Sequence, residues 1–502
     1  MERQSGVLLP IFSLKNEYGI GSFGKEAYEF VDFLSSAGQS FWQILPLVET
    51  GLGNSPYMSV AGYSYNPYFI DLQKLYNDGL ITLRELNAQK VPFSDYIDYS
   101  NLYEQRIAVL QKAYERFDTQ SKDFLSFKQS GGFTDYALFK ALSSKYGTDF
   151  TVWPHDYKTH QADKLNQFYT ENKELVDFYL FIQFTAQSQW FSLKNYANQN
   201  GIKIIGDLPF YPSFESVDVW SAPDNFVLDE NLTPKEVAGV PPDYFAKDGQ
   251  LWGNPTYNFE LHAKNGYKWW LNRIDNALNV CDLLRLDHFR AFDRYYAVPY
   301  GDENAKNGVW RNGGGKQLFE LIKNQFGTDK LIAEDLGCLD EGVYELLKFS
   351  GLAGMKVISF AFDGSPDNPY LLKNIPENSI CYTGTHDNDT LMGLLESLDK
   401  NAYETHLQMV KNQLDLIGVN MPLQTGANVV TAMIELAYAS NSKLVITPLQ
   451  DLLYLDGNYR VNTPSTVSIK NWSVRIDSEL LDDYLTQRLV MLNAKYKRNK
   501  RH

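Results

Sequence analysis

The chain has 502 residues with 46 Lys and Arg against 61 Asp and Glu, a formal charge of −15. It has no long basic run to grip a phosphate backbone, so no nucleic-acid partner is expected. The hydrophobic share of 44% supports a large core, in one elaborated domain or two to three smaller ones. No stretch approaches a membrane span, and a polar start with only a short apolar run after it gives no secretory signal.

Three cysteines, Cys281, Cys338 and Cys381, are odd in number and point to a reducing compartment, the cytoplasm, where they serve as small hydrophobes. In chain order, the first predicted strand is residues 7–12. A Gly-rich turn and a helix-period stretch over 25–37 follow it. A second strand, 40–47, runs into a long loop, 48–69, that carries Tyr57, Tyr63, Tyr65 and Tyr68. These rings either meet a ligand or pack on one another. Residues 71–175 are polar and helical in pattern, and are expected to form a helical insertion. The core pattern resumes with a helix over 176–200 and a strand ending at Asp207. Residues 208–258 form a second long excursion, whose interleaved Trp, Tyr and Pro argue against disorder.

A helix over 261–278 leads into a strand that ends at Asp287, and one over 316–326 into a strand that ends at Glu334. Strands at 355–360, 379–383 and 443–447 complete the pattern, with helices over 400–417 and 427–439 before the last. The basic segment 495–502 is expected to fray into solvent. Eight strands alternating with helices predict an α/β fold, a parallel (β/α)8 TIM barrel with long inserts in its βα loops. Such barrels place catalytic groups at the C-terminal ends of different strands, where Asp207, Asp287, Glu334 and Asp387 fall.

Side-chain alternation puts Arg285 on the same face as Asp287, favouring the ionised carboxylate. Glu334 has no cation beside it in sequence and is expected to hold a proton through burial and neighbouring anions. Asp335 points to the opposite face and is given a structural role. Such acids have two uses. One is a divalent-metal site with His288 and His386 as further ligands, although strand 7–12 lacks the His pair common in metal-dependent barrels. The other is glycosidic bond chemistry, with one carboxylate attacking and a second acid assisting the leaving oxygen. An excess of rings, 33 Tyr and 30 Phe, favours a sugar-binding cleft.

Several segments carry a resemblance: Ser55-Pro-Tyr57, Gly206-Asp-Leu-Pro209, Gly239-Val-Pro-Pro-Asp-Tyr-Phe245, Trp252-Gly-Asn-Pro255, Leu284-Arg-Leu-Asp-His-Phe-Arg290, Ala333-Glu-Asp-Leu-Gly337 and Tyr382-Thr-Gly-Thr-His-Asp-Asn-Asp389. With Pro448-Leu-Gln-Asp451 and Asn471-Trp472, they resemble the 4-α-glucanotransferases of glycoside hydrolase family 77, in the family's order over nearly the whole chain. The length is similar to the family's short bacterial form.

That resemblance implies transfer of α-1,4-glucan segments to glucose or maltooligosaccharides by retaining double displacement, with a hydrolase on the same barrel as the near alternative. It implies Asp287 as nucleophile, Glu334 as general acid/base and Asp387 as transition-state stabiliser. Tyr57, Arg285, His288 and His386 would hold the sugar, and Asp207 corresponds to the third-strand acid of the wider α-amylase-like clan. Asp243, Gln250 and Trp252 would belong to a lid over the acceptor sites, and Asn462 would face the acceptor. No metal or other cofactor is implied, and the assembly is a monomer or homodimer. Ala291, Met58 and Ser465 depart from the family's usual Gly, Gln and Gly.

Overall fold

The computed structural model describes residues 3–242, 247–337 and 339–498. Eight parallel strands close into a barrel: β1 (Gln4–Leu8), β2 (Phe41–Gln43), β3 (Lys203–Leu208), β4 (Leu283–Leu286), β5 (Leu331–Ala333), β6 (Ala353–Val357), β7 (Ser379–Tyr382) and β8 (Leu444–Pro448). Each pairs with its sequence neighbours, and β1 pairs with β8 to close the ring. All eight predicted strands form, the first at Gln4–Leu8 against the expected 7–12, as short and mostly buried runs. Alternation sends Leu8, Phe41, Ile205, Ile332 and Met355 into the barrel interior. It sends Ile204, Leu284 and Val445 outward against the helices.

Between β2 and β3, the helices Leu102–Arg116, Lys122–Ser130 and Thr134–Tyr146 pack on the 27-residue helix Lys173–Gln199. Rings supply much of this contact, including Phe117 on Phe181 at 4.8 Å. No helix among the described residues is long and apolar enough to cross a membrane.

Three expectations are corrected. The helix expected over 261–278 is two, Phe259–Lys264 and Lys268–Val280. Gly266 and Tyr267, at φ +69° and +54°, take left-handed conformations that end the first and turn the chain into the second. Residues 208–258 are not only loop. Strands Glu236–Val240 and Gln250–Pro255 join Arg294–Pro299 and Val309–Asn312 in a four-stranded antiparallel sheet beside the barrel mouth. Nor does the basic segment fray along its whole length. Arg498 is fully buried, and its guanidinium donates to the carbonyls of Gln4, Tyr438, Ser440 and Ser442.

Candidate active site

Four of the expected acids gather at one end of the barrel. Asp207 lies in β3, Asp287 directly follows β4, Glu334 directly follows β5, and Asp387 lies in the loop after β7. The register pairs Asp207 with Arg285 across β3 and β4, so the two side chains share the inward face. Arg285 Nη1 lies 2.7 Å from both Asp207 oxygens and 3.0 Å from Asp287 Oδ1. Its Nη2 lies 3.9 Å from Glu334 Oε2. Burial alone would lower this guanidinium, but Asp207 and Asp287 outweigh it and hold it cationic. Arg285 thus sits among three of the carboxylates, Asp207, Asp287 and Glu334. Among the described residues, no group of three or more His, Cys, Asp or Glu is arranged to hold a metal.

The expectation that Glu334 has no nearby cation is corrected, because barrel register brings Arg285 to it from the neighbouring strand. Burial nevertheless pushes its carboxyl up to about 8, against Arg285 and with Asp287 adding to the rise. The His288 N–H donates to Glu334 Oε2 at 2.7 Å, which leaves Oε1 to carry a proton. His288 has φ +47°, a left-handed conformation costly for a non-glycine residue. That kink turns the chain just after Asp287 and aims the amide at Glu334. Burial also lowers the His288 imidazole to about 4, against Asp287 and with Arg290 and Arg285 reinforcing the drop. It is therefore neutral in neutral solution.

Tyr57 donates its hydroxyl to Asp207 Oδ2 at 2.6 Å and stacks on His386, with centroids 5.2 Å apart and planes at 15°. His386 Nε2 lies 3.4 Å from Asp387 Oδ2, and Asn462 donates to Asp387 Oδ1 at 2.7 Å. Asn462 therefore holds a carboxylate of the cluster. Trp252 lies edge-on to His288 at 5.0 Å and donates to Gln250 Oε1 at 3.1 Å, so the four-stranded sheet reaches the site. Asp243 lies outside the described residues. Asp335 points away: it accepts the Met355 N–H at 2.6 Å and pairs with Lys356 at 3.1 Å.

The sequence reading missed three contributors. Phe210 brings its N–H to 3.5 Å from Asp287 Oδ2. Arg460 donates to the Asp387 carbonyl at 2.6 Å. Trp472 lies 5.7 Å from Tyr57 and 5.9 Å from His386. For Trp472 a signal existed in the Asn471-Trp472 motif, whereas Phe210 acts through its backbone and leaves none.

A TIM barrel with an ion-paired carboxylate and a buried, protonated one on adjacent strand ends, walled by rings, defines the class of barrel enzymes that work on glycosidic bonds with carboxylates. The comparisons are specific. The family model described as 4-alpha-glucanotransferase, glycoside hydrolase family 77, matches residues 9–481, and the chain belongs to this family. It is 40% identical to the 4-alpha-glucanotransferase of Clostridium butyricum over 97% of this chain and 99% of that one. It is 39% identical to the 4-alpha-glucanotransferase of Aquifex aeolicus (strain VF5) over 95% and 96% of the two chains. The amylomaltase of Streptococcus agalactiae, solved in complex with acarbose, superposes with a TM-score of 0.93 at 35% identity, over 99% of this chain and 100% of that one.

Proposed function

We propose that this 4-alpha-glucanotransferase works by retaining double displacement, with Asp287 and Glu334 as the reacting pair. Asp287 attacks C1 of an α-1,4-glucan as the proton on Glu334 passes to the departing oxygen, leaving a β-linked glycosyl ester. Glu334 then takes the proton of an incoming 4-hydroxyl, from glucose or a maltooligosaccharide, and the α-1,4 bond re-forms on that acceptor. Asp387 stabilises the positive charge that develops at C1. Tyr57, Asp207, Arg285, His288 and His386 hold the sugar, while Gln250, Trp252 and Asp243 act at the acceptor side. Asn462 acts through Asp387. One bond is exchanged for a like one, so no cofactor is called for.

The observation that carries this reading is the contrast between two neighbouring acids, Asp287 ion-paired to Arg285 and Glu334 pushed up by burial. Esterifying Asp287 removes one of the charges that raise Glu334, so the same group drops in pKa and turns from acid to base without moving. Rings at the cleft, Trp252 among them, disfavour water as a competing acceptor. Residues 71–175 we take as an insert in the barrel's second βα loop. Free thiols at Cys281 and Cys381 suit the cytoplasm, and the working assembly is a monomer or homodimer.

Maltotriose is the direct test. Transfer yields glucose and longer oligomers with no rise in reducing ends, whereas a steady rise would make the enzyme a hydrolase. A fluorinated glucosyl donor should leave an ester that mass spectrometry maps to Asp287. A label on another residue would overturn the assignment.

A further inference from the structure

Asp335 follows Glu334 in sequence but takes no place in the cleft. It is 1% exposed, and both of its partners come from the next strand. Oδ1 accepts the Met355 N–H at 2.6 Å, and Oδ2 meets Lys356 Nζ at 3.1 Å. Met355 points into the barrel, so Lys356, one residue on, points outward. The pair therefore lies on the outer side of the wall that carries Glu334. Lys356 in turn lies over the Tyr370 ring, 5.7 Å from its centroid.

β6 is shaped to receive this carboxylate. A Cβ at Gly354 would stand 2.7 Å from Asp335 Oδ1, so any side chain there would displace it. Gly354 pairs with Ala333, which pairs on its other side with Leu286. The Asp335 N–H closes back on the Ala333 carbonyl at 3.1 Å, a three-residue turn with Glu334 at its centre. The Glu334 N–H donates to the Leu286 carbonyl at 3.1 Å. One end of the turn is thus held by the barrel ladder and the other by Asp335.

We propose that Asp335 is a positioning residue: tied to Met355 and Lys356, it locks the turn that presents the Glu334 carboxyl to the His288 N–H. This role rests on Glu334 as the acid/base and adds the residue that aims it. It also has an electrostatic side. Arg285 and Asp287 face Glu334 from β4, while Asp335, Lys356 and Tyr370 stand behind it. Burial raises the Glu334 carboxyl most; Arg285 and the His288 N–H oppose that rise, and Asp287 and Asp335 add to it. Removing the Asp335 charge while Lys356 remains should lower it.

Asp335→Asn tests this, because it keeps an oxygen for the Met355 N–H and loses only the charge. With the fold checked by circular dichroism, kcat for maltotriose should fall about tenfold or more with KM unchanged. The alkaline limb of kcat/KM should move down by about half a pH unit or more. Lys356→Gln removes the opposite charge and should move that limb up, which provides a second reading if Asp335→Asn does not fold. A limb and kcat unmoved in Asp335→Asn, a limb unmoved in Lys356→Gln, or a fall in kcat matched by loss of folded protein would overturn the role. Glu334→Gln separates the two failures. A limb that vanishes there yet stays in place in Asp335→Asn overturns the positioning role alone, whereas a limb that survives Glu334→Gln overturns the acid/base reading beneath it.

Discussion

Glu334 shows how a single residue sets the pH behaviour. Its carboxyl is pushed up to about 8 by burial, so in the proposed mechanism the acid for bond breaking is present at neutral pH and lost above it. We expect kcat/KM for maltotriose to fall as pH rises through about 8, measured as initial glucose release. Glu334→Gln should remove that limb and lower kcat by about 10²- to 10⁴-fold, the usual worth of a positioned acid. Stability follows with a definite sign. A carboxyl whose folded pKa lies above its unfolded value binds more protons when folded, so stability falls as pH rises between the two values. Glu334→Gln should therefore raise Tm more at pH 8 than at pH 4. An equal Tm shift at both would mean that the carboxyl is not held protonated.

Among the elements, the hairpin over residues 49–60 matters most, because it presents Tyr57. Thr50 bridges to Ser59, and the Gly51 N–H donates to the Met58 carbonyl at 2.6 Å. Its root is Glu49, buried, which accepts from the Tyr136 hydroxyl and from Lys140 Nζ, both on helix Thr134–Tyr146. Helices of the 71–175 segment thus brace a cleft residue. Glu49→Gln leaves Lys140 with a weaker partner and should cost about 3 kcal/mol by denaturant unfolding, in the range for breaking a buried pair. It should also raise KM for maltotriose by loosening Tyr57. Unchanged stability and KM would assign the pair no bracing role. The other loop tyrosines pack not on one another but on rings of the 71–175 segment: Tyr63 and Tyr65 on Phe133, and Tyr68 on Tyr99 and Tyr103.

These elements also show why legibility differed along the chain. Barrel strands such as Leu444–Pro448 are buried on both faces and read as continuous apolar runs. The four-stranded sheet pairs Glu236–Val240 with Arg294–Pro299, segments far apart in sequence, and Gly239 and Gly253 interrupt its strand pattern. Arg285 beside Asp287 was legible as a two-residue spacing. Arg285 beside Glu334 depends on the register between adjacent strands, which alternation within one strand cannot reveal.

Across the whole molecule, ring closure depends on a clasp between distant parts of the chain. β1 meets β8, with Gln4 opposite Leu444. Beside that seam, Asn493 accepts from Ser5 Oγ at 2.6 Å, and Arg498 gathers four carbonyls from both sides. A basic residue near the end of a sequence reads as solvent-exposed, and only the assembled barrel shows its task. Arg498→Ala strips partners from buried carbonyls and should cost about 3 kcal/mol or more, seen as a lower midpoint in urea. No change in midpoint would make the clasp ornamental.

The clasp also bears on solubility. A closed ring presents no unpaired strand margin, and here the ring is shut where residues near position 4 meet those near 444. Parting there would bare two margins at once, each able to template pairing with a neighbouring molecule. Loosening the clasp should therefore turn the protein cloudy on warming before its helices melt.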